Sequence, residues 1–318
     1  MTGERFERQL RRAAENRDSE SYGQAELLRS RQDQVEEFDY FLNLLQEGPQ
    51  RVSARTKRPV VATMCLSAPL ELFEAHGLQP LRLTGGHQPT ERLAAPNLPP
   101  VMCPMLRSAL GAALLAQHGA GDGSSHFYAG QVIPTTCDWV TRFGDLAALA
   151  GVEIKSIHRL ANPKVKNSNL CLKAWENEIR GLVRFLSQLS GKKIGRRELK
   201  KSVGRYREAY AAFSDLIDHK RAGRIDQIWF SVVAGSFNFD LVERWSENVH
   251  KLNAKLAQKE PAKAGGQVFL AGSPIIFPNF KILSLIQEAG LTVVMDDLCS
   301  SERILPGPVH LGDDSLEG

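Results

Sequence analysis

The chain lacks most of the patterns that announce a function. It holds five cysteines in 318 residues, and no two form C-x-x-C, so spacing alone offers neither a zinc ribbon nor a thioredoxin-type couple. Its eight histidines make no H-x-x-H or H-E-x-x-H, which excludes the common helical zinc sites. Neither G-x-x-x-x-G-K-[ST] nor G-x-G-x-x-G occurs, so no nucleotide-phosphate loop is evident. There is neither a G-x-S-x-G element nor a plausible Ser/His/Asp set. No apolar run approaches the roughly 18 residues of a membrane span. The N-terminus, polar through Ser21, has no signal-peptide core. A cytoplasmic chain is expected. The net charge of +4 is mild and gives no general affinity for nucleic acid or an anionic membrane.

What is present is ordinary for a globular protein, with 42% apolar and 24% charged residues and enough length for two domains. Residues 1–56 are rich in Arg, Glu, Gln and Leu. Phe38, Phe41, Leu42, Leu44 and Leu45 form a stripe at helical spacing, and a break is expected at Ser19 to Gly23. From 57 to 163, short β-branched runs alternate with helical segments. Strands are expected at Val60–Cys65, Leu81–Thr84 and Gln131–Pro134, and helices at Glu71–His76 and 105–117, which indicates a parallel-sheet α/β lobe. From 164 to 259 the pattern is helical, with stripes through Trp175–Leu186, Tyr206–Ile217 and Leu241–Leu256. Residues 260–318 open with a linker (260–266) and then read as strand Gln267–Ala271, helix Asn279–Glu288 and strand Leu291–Met295. The expected fold is therefore α/β, with two parallel-sheet Rossmann-like lobes, a helical insert and a second lobe that is incomplete.

Three cysteines stand at the ends of apolar segments, Cys103, Cys137 and Cys299, and each is expected just beyond the C-terminal end of a strand, where ligand-bearing residues of parallel sheets lie. Read without their surroundings, all five cysteines are small core hydrophobes, and Cys65 and Cys171 keep that reading, with Cys65 a minor candidate for lining a site at the mouth of a strand. The words around the other three carry more. Cys103-Pro-Met-Leu-Arg-Ser-Ala-Leu-Gly111, Val132-Ile-Pro-Thr-Thr-Cys-Asp-Trp139, Val268-Phe-Leu-Ala-Gly-Ser-Pro274 and Val293-Val-Met-Asp-Asp-Leu-Cys299 resemble, in order, the 2-hydroxyacyl-CoA dehydratase/benzoyl-CoA reductase family. The likeness runs from about Arg58 to Arg303 and is looser between about Lys164 and Gly265.

The resemblance implies that Cys103, Cys137 and Cys299 hold one [4Fe-4S] cluster. One iron would then lack a protein thiolate and be open to a substrate oxygen. It implies one-electron donation to a CoA thioester, giving a ketyl radical from which a 2-hydroxy group leaves, or through which an aromatic ring is reduced in the benzoyl-CoA reductase branch. The implied partners are a homologous second subunit, or a second copy, and an ATP-dependent activator that injects the electron. Family members continue for several more strands, so the second lobe looks truncated. A truncated, non-catalytic paralogue is the reading from another class. A double-cubane reductase would need more cysteines than the three that match.

Around the cysteines, Ser67 is a candidate for contact with the open iron or substrate, against helix capping. Arg107 and Arg303 are candidates for holding a thioester carbonyl or CoA phosphate, against a surface role. Asp138 and Asp297 either cap or tune, with capping favoured for Asp138. Gly272-Ser-Pro274 reads as a strand-to-helix turn offering backbone N–H groups. Lys192, Lys193, Arg196, Arg197, Lys200, Lys201, Arg205 and Arg207 read first as a solvated helix face, then as a surface for CoA phosphates or an acidic partner, and last as a nucleic-acid contact.

Overall fold

The computed structural model describes residues 3–119, 128–165, 168–262, 265–305 and 307–308. In chain order its elements are α1 (Gly3–Arg29), α2 (Phe38–Glu47), α3 (Val52–Thr56), β1 (Val60–Thr63), α4 (Leu70–Ala75), β2 (Gln79–Arg82), α5 (Gln88–Ala94), α6 (Pro104–Gln117), β3 (Gly130–Pro134), α7 (Asp138–Thr141), α8 (Phe143–Ala150) and β4 (Ile157–Leu160). They continue as α9 (Asn169–Ser190), α10 (Arg196–Arg221), α11 (Gln227–Gly235), α12 (Val242–Leu256), β5 (Gly266–Leu270), α13 (Lys281–Glu288) and β6 (Leu291–Asp296). The chain divides into two compact units. The first is built from Met1–Ala14 and Val52–Gly204, the second from Glu15–Arg51 and Arg205–Pro308.

The first unit is a four-stranded parallel sheet in the order β2-β1-β3-β4. β1, β2 and β3 are buried at every residue, as strands covered on both faces must be; β1 is nearly all apolar, while β2 carries Gln79 and Arg82 and β3 carries Gln131. The alternation of a strand separates the two layers. Ile133 packs with Met64, Leu106, Leu110, Val140, Phe143 and Leu146. Its neighbour Val132 packs with Val61, Leu72, Phe73, Leu182 and Leu186 on the other face. This is the expected α/β architecture. β2 begins two residues earlier than expected, because Gln79 and Pro80 already pair with Val60 and Val61.

The second unit joins helices to a two-stranded parallel sheet, β5-β6, whose register shifts at Val268/Phe269. Its helical core is aromatic. Phe38 and Trp229 stack with ring centroids 4.2 Å apart, and Trp245, fully buried, meets Phe41, Phe213 and Phe237 while its indole N–H donates to Ser236 Oγ at 3.0 Å. Each such ring removes a large apolar area from water. Residues 263 and 264 of the expected linker, and 306 and 309–318 of the C-terminal segment, lie outside the described residues.

One expectation fails in α1, which runs unbroken through Ser19–Gly23. Glycine in a helix interior costs about 1 kcal/mol against alanine, and here tertiary burial overrides that preference. Ser21, Ala25 and Leu28 are buried at i, i+4 and i+7, one face continuing straight through the polar patch. The helix after β5 also starts late, at Lys281 rather than 279.

Arg31, Asp33 and Asp226 tie the loop before α2 to α11 in the second unit. Arg31 donates to Asp33 Oδ2 at 2.8 Å and to Asp226, and Asp226 also accepts from Trp229 N and Gln287 Nε2, each at 2.9 Å. Burial pushes the Asp226 carboxyl up to about 6, assisted by neighbouring Asp33 and opposed by Arg31. Burial also works to raise Asp33, but hydrogen bonds from Arg31 and Asp226 outweigh it and bring Asp33 down to about 2. A carboxyl whose folded pKa exceeds its unfolded value near 3.9 binds its proton more tightly when folded. Its contribution to stability is complete below that unfolded value and is lost as pH rises through about 6. Asp226→Asn keeps the N-cap acceptor and cannot titrate. Relative to wild type it is expected to gain about 2 kcal/mol between pH 4 and pH 7, read from urea unfolding at both values. A difference independent of pH would refute the assignment.

Candidate functional site

In open parallel sheets, reactive groups collect beyond the C-terminal ends of the strands. β1 ends at Thr63 and β3 at Pro134, and the loops beyond them meet: Cys65 Sγ and Thr136 Oγ1 lie 2.9 Å apart. Cys65 has φ of 54°, a left-handed conformation rare for a side chain of this kind. It is half-buried against the same core that Cys103, Met105 and Trp139 border. The sequence signal for this pairing was slight: a cysteine two residues past a β-branched run.

Cys137 follows Thr136 and is the N-cap of α7. Its carbonyl accepts from Thr141 N at 2.9 Å and Thr141 Oγ1 at 2.8 Å, so the backbone holds the turn while the side chain is exposed. Asp138 therefore stands at the first helical position rather than the cap, where its charge suits the helix N-terminus.

Cys103 is the N-cap of α6, with Pro104 at the first helical position. It does not directly follow a strand, contrary to expectation. α5 and a short 3-10 turn, Ala95–Asn97, intervene after β2. Neither Cys103 nor Cys137 uses its side chain to cap its own helix.

Much of the motif after Cys103 serves the fold. Ser108 Oγ accepts from Gly86 N at 3.0 Å and His87 N at 3.1 Å and lies 2.7 Å from Thr90 Oγ1. Arg107 pairs with Glu91 at 2.8 Å and is only 16% exposed, so it braces α6 against α5. Ser67 is half-buried between Cys65 and α4. α4 starts at Leu70, with Pro69 as N-cap and no side-chain cap, so Ser67 does not serve there.

In the second unit the Gly272-Ser-Pro turn and the Cys299 loop lie side by side past β5 and β6. Asp297 N donates to Leu270 O at 2.9 Å, and Ile275 N donates to Ser300 Oγ at 3.0 Å. Gly272 has φ of 132°, a conformation that only glycine adopts readily. The turn does not lead directly into a helix as expected, since α13 begins at Lys281. Cys299 is half-buried, three residues beyond the end of β6. Arg303 reaches Asp297 at 3.3 Å, with both side chains more than half exposed, a pairing of small energetic value.

None of the five cysteines is in a disulfide. The donor chemistry of Cys103, Cys137 and Cys299 therefore suits a thiophilic group such as an iron–sulfur cluster. Among the described residues no set of three His, Cys, Asp or Glu side chains is drawn together around a metal-sized space. Lys192, Lys193, Arg196, Arg197, Lys200, Lys201 and Arg207 are exposed, as a solvated face requires, whereas Arg205 is partly buried and pairs with Glu243 at 2.6 Å. Among the described residues no helix is long and apolar enough to cross a membrane.

The chain is 24% identical over 277 residues to YjiM of Escherichia coli (strain K12), whose name provisionally describes a dehydratase subunit; the alignment covers 84% of this chain and 70% of that protein. The family model for the 2-hydroxyglutaryl-CoA dehydratase D-component matches residues 65–317, a span that contains Cys65, Cys103, Cys137, the Gly272 turn and Cys299. The chain belongs to the 2-hydroxyglutaryl-CoA dehydratase D-component family.

Proposed function

We propose that this chain is the iron–sulfur subunit of an (R)-2-hydroxyacyl-CoA dehydratase, in which Cys103, Cys137 and Cys299 hold one [4Fe-4S] cluster. The observation that carries the reading is that all three thiols fall within the family match and none is spent in a disulfide. When bound, the cluster supplies a one-electron donor and an iron without a protein thiolate, open to a substrate oxygen. In this reading a separate ATP-dependent activator injects the electron, and the CoA thioester loses its 2-hydroxy group at the ketyl-radical level. A homologous subunit or a second copy completes the assembly, and the cytoplasm is its compartment.

The chain's own residues take graded roles. Cys137, exposed on a turn fixed by Thr141, is the most accessible of the three donors. Cys103 stands on a helix end stiffened by Pro104 and braced through Arg107. Ser67 is proposed to donate its hydroxyl hydrogen to a substrate oxygen, since no helix cap claims it. Arg303, whose pairing with Asp297 is exposed, is the residue proposed to swing toward a CoA phosphate. Arg107, already committed to Glu91, is the weaker of the two arginine candidates.

The test is protein purified without oxygen, analysed for iron and sulfide and examined by EPR, then assayed with an activator and ATP. About four irons per chain and elimination of water from an (R)-2-hydroxyacyl-CoA are expected. Reduction of an aryl-CoA instead would move the chain to the benzoyl-CoA reductase branch. A folded chain that takes up no iron would leave a non-catalytic paralogue.

A further inference from the structure

We infer that Lys220 is a positioning residue for Cys299, a buried ammonium that clamps both ends of the loop carrying that thiol. Its side chain, near the end of α10, is fully buried. Nζ donates to Asp296 Oδ2 at 2.6 Å and to Glu302 Oε1 at 2.8 Å and stands 4.7 Å from the centre of the Phe230 ring. Asp296 is the last residue of β6, and Glu302 opens the 3-10 turn that follows the loop. Cys299 lies midway between them.

The two jaws are also bonded to each other and to the loop. Asp296 N donates to Glu302 Oε1 at 3.2 Å. Asp296 Oδ1 accepts from Leu298 N at 3.0 Å and Glu302 N at 3.2 Å, and Oδ2 accepts from Ser301 Oγ at 2.7 Å. Ser301 Oγ in turn accepts from Gln227 Nε2 at 2.9 Å. Leu298, Ser300 and Ser301 are buried. Cys299, between them, is the partly exposed position.

Burying an ammonium with carboxylates brings a large desolvation penalty, and apolar replacements of buried ion sets are often as stable. Stability therefore does not account for the set. What it provides is fixed geometry, because the loop cannot shift without stranding a charge away from water.

The inference draws its chemical purpose from the proposed ligand role of Cys299, but its test does not depend on that role. On the metal-free chain, the rate of iodoacetamide alkylation at Cys299 is followed by peptide mass spectrometry, with Cys103 and Cys137 as references. The variants are Lys220→Met and Glu302→Ala; the second removes the far jaw while leaving Lys220 with Asp296. Val249→Ala, in the buried face of α12, is the control for general loosening of the same unit. Alkylation of Cys299 is expected to rise about tenfold in both clamp variants, the effect of losing a charge-assisted bond that opposes local opening, with the reference thiols and the control unchanged. If Lys220→Met does not fold, Glu302→Ala decides alone. An unchanged Cys299 rate in the folded clamp variants, or an equal rise in Val249→Ala, overturns the inference. Iron retained by Cys299→Ala would instead end the ligand role and leave the clamp standing.

Discussion

Cys103→Ala, Cys137→Ala and Cys299→Ala, each purified without oxygen, are expected to fall from about four irons per chain to fewer than one. Dehydration should fall below detection. Cys65→Ala and Cys171→Ala should keep their iron. The contrast is informative because the thiols of Cys103 and Cys137 do not cap the helices they precede. The structural role of Cys137 is carried by its carbonyl, which accepts two bonds from Thr141 and survives truncation. Cys103 is half-buried beside the Met102 and Leu106 core, so losing its sulfur costs about 1 kcal/mol at most. Iron should therefore vanish, while the metal-free variants unfold by urea or heat almost as metal-free wild type does. Full iron in all three variants would sink the cluster assignment. Iron loss accompanied by a large fall in the stability of the metal-free chain would reduce the cysteines to packing residues.

Legibility in the sequence followed one-sided burial. The stripe Trp175, Ile179, Leu182, Val183 and Leu186 repeats at helical spacing because only one face of α9 packs on the sheet, with Leu182 and Leu186 fully buried. β1 and β3 were visible as β-branched runs because central parallel strands are covered on both sides. Elements without either signal did not stand out. α11 is buried at every residue from Gln227 to Ala234, so its pattern has no stripe. β4 carries His158 at a half-buried position and Arg159 at an exposed one and looks polar. α5, a short helix with Pro89 near its start, resembles a loop, and missing it made Cys103 seem to follow a strand.

The site was legible in a different way. The three ligand candidates came from a family resemblance in their neighbours, and the family membership now rests on the match over 65–317. Periodicity could not have supplied them. Nor could it separate chemistry from architecture within one motif. In the nine residues from Cys103 to Gly111, Arg107, Ser108 and Gly111 face α5 or its entry loop. The Cys65–Thr136 contact, which joins two strand ends, is tertiary and left almost no trace in the local sequence.

Gly111→Ala is expected to destabilise the first unit, although alanine is the better helix former. Two effects of opposite sign compete. Alanine gains about 1 kcal/mol over glycine in a helix interior. Against that, a Cβ at Gly111 would lie 1.8 Å from the Thr90 carbonyl oxygen and 2.6 Å from its carbon. Those are backbone atoms of α5, so no side-chain rotation relieves the clash, and α5 and α6 must part by more than an ångström. Parting them strains the Thr90–Ser108 contact of 2.7 Å and the bonds from Gly86 N and His87 N to Ser108. Overpacking of this kind costs about 3 kcal/mol, and the weakened buried bonds add to it. The net loss should be about 2 kcal/mol or more, read from urea unfolding. Gly204→Ala is the matched control: it lies in α10 with nothing within 4 Å of its would-be Cβ, so it should gain stability. If both variants gained, the close approach of α5 and α6 would be wrong. If Gly111→Ala alone lost stability and also lost iron, the packing of these helices would be what sets the position of Cys103, the N-cap of α6.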